Sequence, residues 1–133
     1  MAGTALTSTA QITSWYIGLV TGPGSGTTYA AGDNMTTHTG WTEFTGYSQS
    51  TRVAAVFAAA TNANPSVVTN SASVAVFSIN AGGTVAGAFL TSGSAKSGTA
   101  GTLFSGSDFT GGDRTVVSGD TLNVTYTFSL TAT

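Results

Sequence analysis

Hydrophobic and polar residues alternate most regularly near the C-terminal end, where Leu122, Val124, Tyr126, Phe128 and Leu130 are interleaved with Thr121, Asn123, Thr125, Thr127 and Ser129. A period of two puts successive side chains on opposite faces of a strand, so this run predicts one strand with a buried side and a wet or partner-facing side. Near the other end Trp15, Ile17 and Leu19 alternate with Tyr16, Gly18 and Val20. Apolar groups on both faces predict a strand in the middle of a sandwich or at an interface. Shorter β-rich runs cover residues 41–47, 51–57, 73–79, 85–91 and 101–104. Turn chemistry separates them, at residues 22–26, 62–65, 80–83, 92–98 and 111–113. No long window repeats apolar residues at helical spacing, and only residues 33–38 read as a helical turn, with Asp33 as its N-cap. Many short strands at near-regular spacing predict an all-β chain, an antiparallel β-sandwich or jelly roll of about seven to nine strands.

A length of 133 residues suits one domain. Residues 12–133 are read as a single β-sandwich domain, preceded by a flexible N-terminal arm, residues 1–11, that carries no core pattern. The arm has neither basic residues nor an apolar run, so it is not read as a secretory signal. No stretch approaches the ~20 apolar residues that span a bilayer, so no membrane partner is expected. Hydrophobic residues, at 41%, are enough to fill an interior of this size, and the absence of cysteine excludes a disulfide framework or thiolate chemistry.

Charge changes the picture more. Only 6% of residues are charged, against roughly a quarter in an average globular protein, so the surface is built from Thr, Ser, Gly and Asn. A formal net charge of -2 gives copies little reason to repel one another and favours a subunit covered in an assembly. Nucleic acid is a poor partner, because Arg52, Lys96 and Arg114 are the only cations available to neutralise phosphates.

Catalysis needs positioned groups that exchange protons, attack or hold a metal, and one His, one Glu and four Asp leave that inventory nearly empty. No Gly-x-Ser-x-Gly elbow accompanies His38, which is read as a turn residue whose ring packs near Trp41. Glu43 is read as the partner of Arg52 across a hairpin turning at residues 46–50, a pair that fixes register or orients Arg52 toward a partner. Asp108, Asp113 and Asp120 are oxygen donors of the kind calcium takes, but their spacing matches no EF-hand loop and the last two read as turn formers. Trp15, Tyr16, Trp41, Phe44 and Tyr47 are read mainly as core, with both tryptophans mostly buried. The chain is therefore expected to be no enzyme and to need no cofactor.

The segment Ser14-Trp15-Tyr16-Ile17-Gly18-Leu19, then Asp33-Asn34-Met35 with His38, then Gly40-Trp41-Thr42-Glu43 with Tyr47 and Arg52, resembles small proteins encoded among tailed-bacteriophage structural genes. The likeness continues through Gly87-Ala88-Phe89-Leu90-Thr91-Ser92 and Ser118-Gly119-Asp120-Thr121-Leu122. The resemblance implies a head decoration, or cement, protein, made in the bacterial host cytoplasm and seated on the outer capsid surface of the virion. Its implied partners are the major capsid protein and copies of itself, as a homo-oligomer. It brings no catalytic residues. The candidate interface or register residues are Arg52, Glu43, Gln11 and Thr9, the last two in an arm able to add a strand to a neighbour. The alternative is a tail-fibre or receptor-binding module that recognises cell-surface glycan through the aromatic segments.

Overall fold

A computed structural model describes residues 14–131. In chain order its strands are β1 (Tyr16–Thr21), β2 (Glu43–Phe44), β3 (Val53–Ala54), β4 (Ser66–Thr69), β5 (Ala75–Ser78), β6 (Gly83–Thr91), β7 (Leu103–Asp108), β8 (Arg114–Val116), β9 (Thr121–Val124) and β10 (Thr127–Leu130). Every pairing between them is antiparallel, and among the described residues the only helical element is a single 3-10 turn at Gly24–Gly26. The chain is all-β, as the alternation predicts, with ten strands among the described residues where seven to nine are expected. The expected helical turn at residues 33–38 does not form. Asp33 caps nothing there; Asn34 Oδ1 instead accepts from the Thr36 and Thr37 amides, and Asp33 accepts from the Ala30 amide and the Trp41 indole.

β1 and β6 form the centre of a six-stranded sheet, paired from Tyr16 with Thr91 to Thr21 with Val85. β2 and β3 lie end to end along the outer edge of β1, while β7 and β8 do the same along the far edge of β6. Two smaller ladders, β5 with β9 and β4 with β10, complete the structure. The long C-terminal run is thus two strands, parted at Thr125 and Tyr126. Buried Asn70 stitches the break: its carboxamide donates to the Val124 carbonyl and accepts from the Tyr126 amide, 2.7 Å away.

Both faces of β1 are covered, as its two-sided apolar pattern requires. On one face Ile17, Leu19, Ala88 and Leu90 pack against Ala75, Phe77 and Val124 of the β5–β9 ladder. On the other, Val20 and Phe89 pack beneath Met35 and Trp41, which arrive on the long connection between β1 and β2. Gly18 makes this second core possible, because a Cβ there would lie 2.2 Å from the Phe89 ring. The Trp41 ring stacks on His38 at 3.9 Å, the packing expected for that histidine, while His38 Nδ1 donates to the Trp41 carbonyl. Trp41 is buried and Trp15 only partly so.

Two substitutions test this second core. Trp41→Ala is expected to destabilise the fold by about 3–5 kcal/mol through the cavity it leaves. Gly18→Ala is expected to cost about 1–3 kcal/mol by forcing Phe89 off its site. Denaturant unfolding of each variant measures both.

Candidate functional site

Glu43 and Arg52 meet, but not across a hairpin. Residues 46–50 do not form a tight turn between their strands, because that stretch is drawn onto the exposed edge of β5. Tyr47 bridges Ile79, the Ser48 amide donates to the Ser78 carbonyl, and the Gln49 carboxamide donates to the Val76 carbonyl and accepts from the Ser78 amide. The pair is instead brought together because β2 and β3 share one edge of β1.

The guanidinium grips the carboxylate with two bonds, Nε to Oε2 at 2.9 Å and Nη2 to Oε1 at 2.7 Å. It also donates to the carbonyls of Gly93 at 2.8 Å and Gly98 at 3.1 Å. Glu43 accepts in turn from the Ser97 amide at 2.9 Å, and Ser97 adopts a left-handed φ of 59° that lets this amide point inward. The Arg52 guanidinium carbon sits 5.1 Å from the Phe89 ring centroid, so the cation faces the second core. With 1% of Arg52 exposed, neither partner is offered to another molecule. Arg52 is thus directed into its own chain, where it joins β2, the start of β3 and the loop at residues 92–98. Thr9 and Gln11, with the rest of the arm, lie outside the described residues.

The other charged side chains are also held by their own chain. Lys96 donates to the carbonyls of Tyr47 and Gln49 and lies over the Tyr47 ring. Asp108 accepts from the hydroxyls of Thr27 and Tyr29, Asp113 from the Gly24 amide, and Asp120 from the Val117 amide inside its own turn. Arg114 donates to the carbonyls of Gly112 and Asp113. Asp108 and Asp113 thus converge on the 3-10 turn, while Asp120 sits elsewhere. Among the described residues no three His, Asp or Glu side chains gather closely enough to hold a metal.

Burial raises the pKa of three tyrosines. At Tyr29 burial acts first and the hydrogen bond to Asp108 adds to it. At Tyr47 burial is followed by the charge of Glu43, and at Tyr126 burial dominates, opposed by a contact with Ser105. The Tyr47 hydroxyl is buried without a hydrogen-bond partner.

Four aromatic rings from separate strands and loops form a row, in which Phe104 is exposed and Trp15, Phe57 and Phe128 are partly buried against the core. Trp15 meets Phe104 edge-on at 5.5 Å, Phe104 meets Phe128 at 5.4 Å, and Phe128 meets Phe57 at 5.7 Å. This row was not legible in the sequence, because its four members come from separate segments. Phe104 stands out from its sheet through a β-bulge: Leu90 pairs with Ser105 and Thr91 with Leu103, so Phe104 is the extra residue. In comparisons with known proteins, no family model, curated protein or solved structure matches this chain.

Removing one member of the ion pair leaves its buried partner uncompensated, so Glu43→Gln or Arg52→Met is expected to cost about 3–5 kcal/mol. A double variant that costs less than the two single losses combined, measured by denaturant unfolding, would establish the coupling. The tyrosines give a pH dependence. A phenol whose folded pKa is raised contributes stability that is fully present below its unfolded pKa, about 10, and is lost as the pH rises toward the folded value. Unfolding free energy should therefore fall above about pH 10. Tyr47→Phe should flatten that fall, and at neutral pH should be neutral or stabilising by about 1 kcal/mol, because the orphaned hydroxyl is removed.

Proposed function

We propose that the chain is a non-enzymatic structural subunit of a phage virion, a decoration or cement protein that binds the outer capsid surface and clamps neighbouring capsomers. The observation that supports this reading is the fate of the charge: each of the eight charged side chains is bonded to its own chain. Asp108, Asp113, Arg114 and Asp120 are exposed while so bonded, and the rest of the outward surface is mainly hydroxyl, backbone and apolar, which suits broad contact of many weak interactions repeated under symmetry. The major capsid protein and further copies of the chain are the partners this surface fits. A catalytic role draws no comparable support, since no nucleophile, base and orienting group converge among the described residues.

The glycan-reading alternative needs an exposed indole beside amide or carboxylate groups. Trp41 is buried and Trp15 faces Phe104, so that reading has less behind it.

Particles lacking the protein provide the test. Adding it back is expected to give occupancy in hundreds of copies per particle and to raise the temperature at which the shells lose their contents. Particles equally heat-resistant with and without it, or occupancy by only a handful of copies, would remove the shell assignment.

A further inference from the structure

The edges of this molecule are treated unequally. On one side the Ser94 carbonyl accepts from the Arg52 amide and Thr51 bridges Ala95, so the loop at residues 92–98 closes the flank of β3. β5 is closed by Ser48 and Gln49, and β4 by the Ala58 and Thr61 amides. On the opposite side β7 pairs only with β6, and β10 only with β4, among the described residues. Half the backbone groups of each strand therefore point outward along one seam. The seam carries neither Lys nor Pro, residues that commonly block such an edge, and its one charged side chain, Asp108 at the far end of β7, is bonded to Thr27 and Tyr29. It runs from the Phe104–Phe128 contact, past Ser105 and Tyr126, into a groove lined by Ser107, Phe109, Thr125 and Thr127. Phe104 is 52% exposed at its head.

An edge with open donors and acceptors beside the exposed Phe104 and the partly buried Phe128 takes an extended, uncharged strand with one apolar face. The chain supplies one. Residues 1–13 hold no charge and no Pro, and their even positions place Ala2, Leu6, Ala10 and Ile12 on one side, with Thr4 and Ser8 between. This segment joins the domain at Ser14, beside Trp15, at the head of the seam. Tyr16, Thr91 and Leu103 form one row across the sheet, so the junction is about 10 Å from the start of β7. Folding back along its own β7 would take a reversal next to that junction, and residues 8–14 contain no Gly, Pro, Asn or Asp, leaving only the weaker turn formers Ser8 and Ser14 to make one. Thirteen residues extended reach about 40 Å, enough to lie along the seam of a neighbour.

We infer that residues 1–13 of a second copy add to the β7 edge and lie across Phe104 and Phe128, joining copies of this chain through exchanged strands. The inference rests on the reading of the chain as an assembling subunit and names the surface by which copies meet.

The test uses the purified full chain. Sedimentation equilibrium from micromolar to near-millimolar concentration is expected to show mass rising with concentration. Amide exchange at residues 103–108 should slow in parallel. Phe104→Lys, at an exposed position, and the double variant Leu6→Lys/Ile12→Lys should each weaken association by at least about tenfold, with thermal unfolding of the domain unchanged. A chain that stays monomeric throughout would overturn the inference. So would protection of residues 103–108 that does not depend on concentration, which would mean that each copy covers its own edge. Association that survives Leu6→Lys/Ile12→Lys would overturn it as well. Because the readout is protein in solution, a chain that associates by this seam yet fails to bind particles upholds the inference while removing the shell role.

Discussion

Arg52 ties together parts of the chain that have no other reason to meet. β2 and β3 are two residues long, too short to hold a sheet edge by their own backbone bonds. The bidentate pair with Glu43 locks them end to end on β1, and the two remaining donor directions fix the carbonyls of Gly93 and Gly98. A cation taken out of water is tolerable only when its donors are satisfied and a counter-charge is in place. Here the satisfaction comes from main-chain carbonyls of one loop, so desolvating Arg52 and ordering residues 92–98 are a single event. Phe89 then extends the coupling inward, with the guanidinium on one side of its ring, Trp41 at 4.9 Å, and Gly18 beneath. Loop, edge and second core are thereby joined through Arg52 and Phe89.

The sequence carried the elements whose signal is local. Along the C-terminal run the observed burial alternates as the residues do, with Val124 and Tyr126 buried and Asn123, Thr125 and Thr127 exposed. The two-sided β1 was equally legible, since its apolar residues on both faces left no room for a solvent face. The break between β9 and β10 was not, because it is made by Asn70, whose position 54 residues before Val124 leaves no trace in the alternation. β4 was missed between the turn signals around Pro65 and the polar stretch that follows, and β8 is only three residues long.

For the candidate site, the scarcity of charge identified Glu43 and Arg52 as partners, whereas a hairpin was the wrong geometry to join them. Nothing in a sequence marks which carbonyls will accept from a guanidinium, so the capture of Gly93 and Gly98 was invisible. The bulge that lifts Phe104 is invisible for a related reason. It depends on where Thr91 pairs, and Leu-Phe-Ser-Gly-Ser-Asp gives the strand no alternation from which to read that register.

These constraints explain how a chain with so little charge can be specific about one side of itself. Charge normally serves two ends on a small domain: it fixes local geometry and it keeps copies apart. Here all eight charged groups serve the first, by internal bonds, and only Asp108, Asp113, Arg114 and Asp120 are also exposed, which leaves the second weakly served. A surface with so little repulsion must then be controlled largely by shape and by the backbone, by covering edges that should not pair. The chain does this at β3, β4 and β5 with loop segments and the Gln49 carboxamide. The exception is the seam at β7 and β10, where no described residue covers the edge and Phe104 is turned outward by an added residue. A bulge at an edge usually disfavours pairing by twisting the strand away. At β7 it sits at the first turn of the strand, leaving Ser105 to Asp108 in regular register with Leu90 to Gly87. The irregularity therefore adds an apolar anchor at the head of the seam and leaves the rest of the edge straight enough to receive a strand.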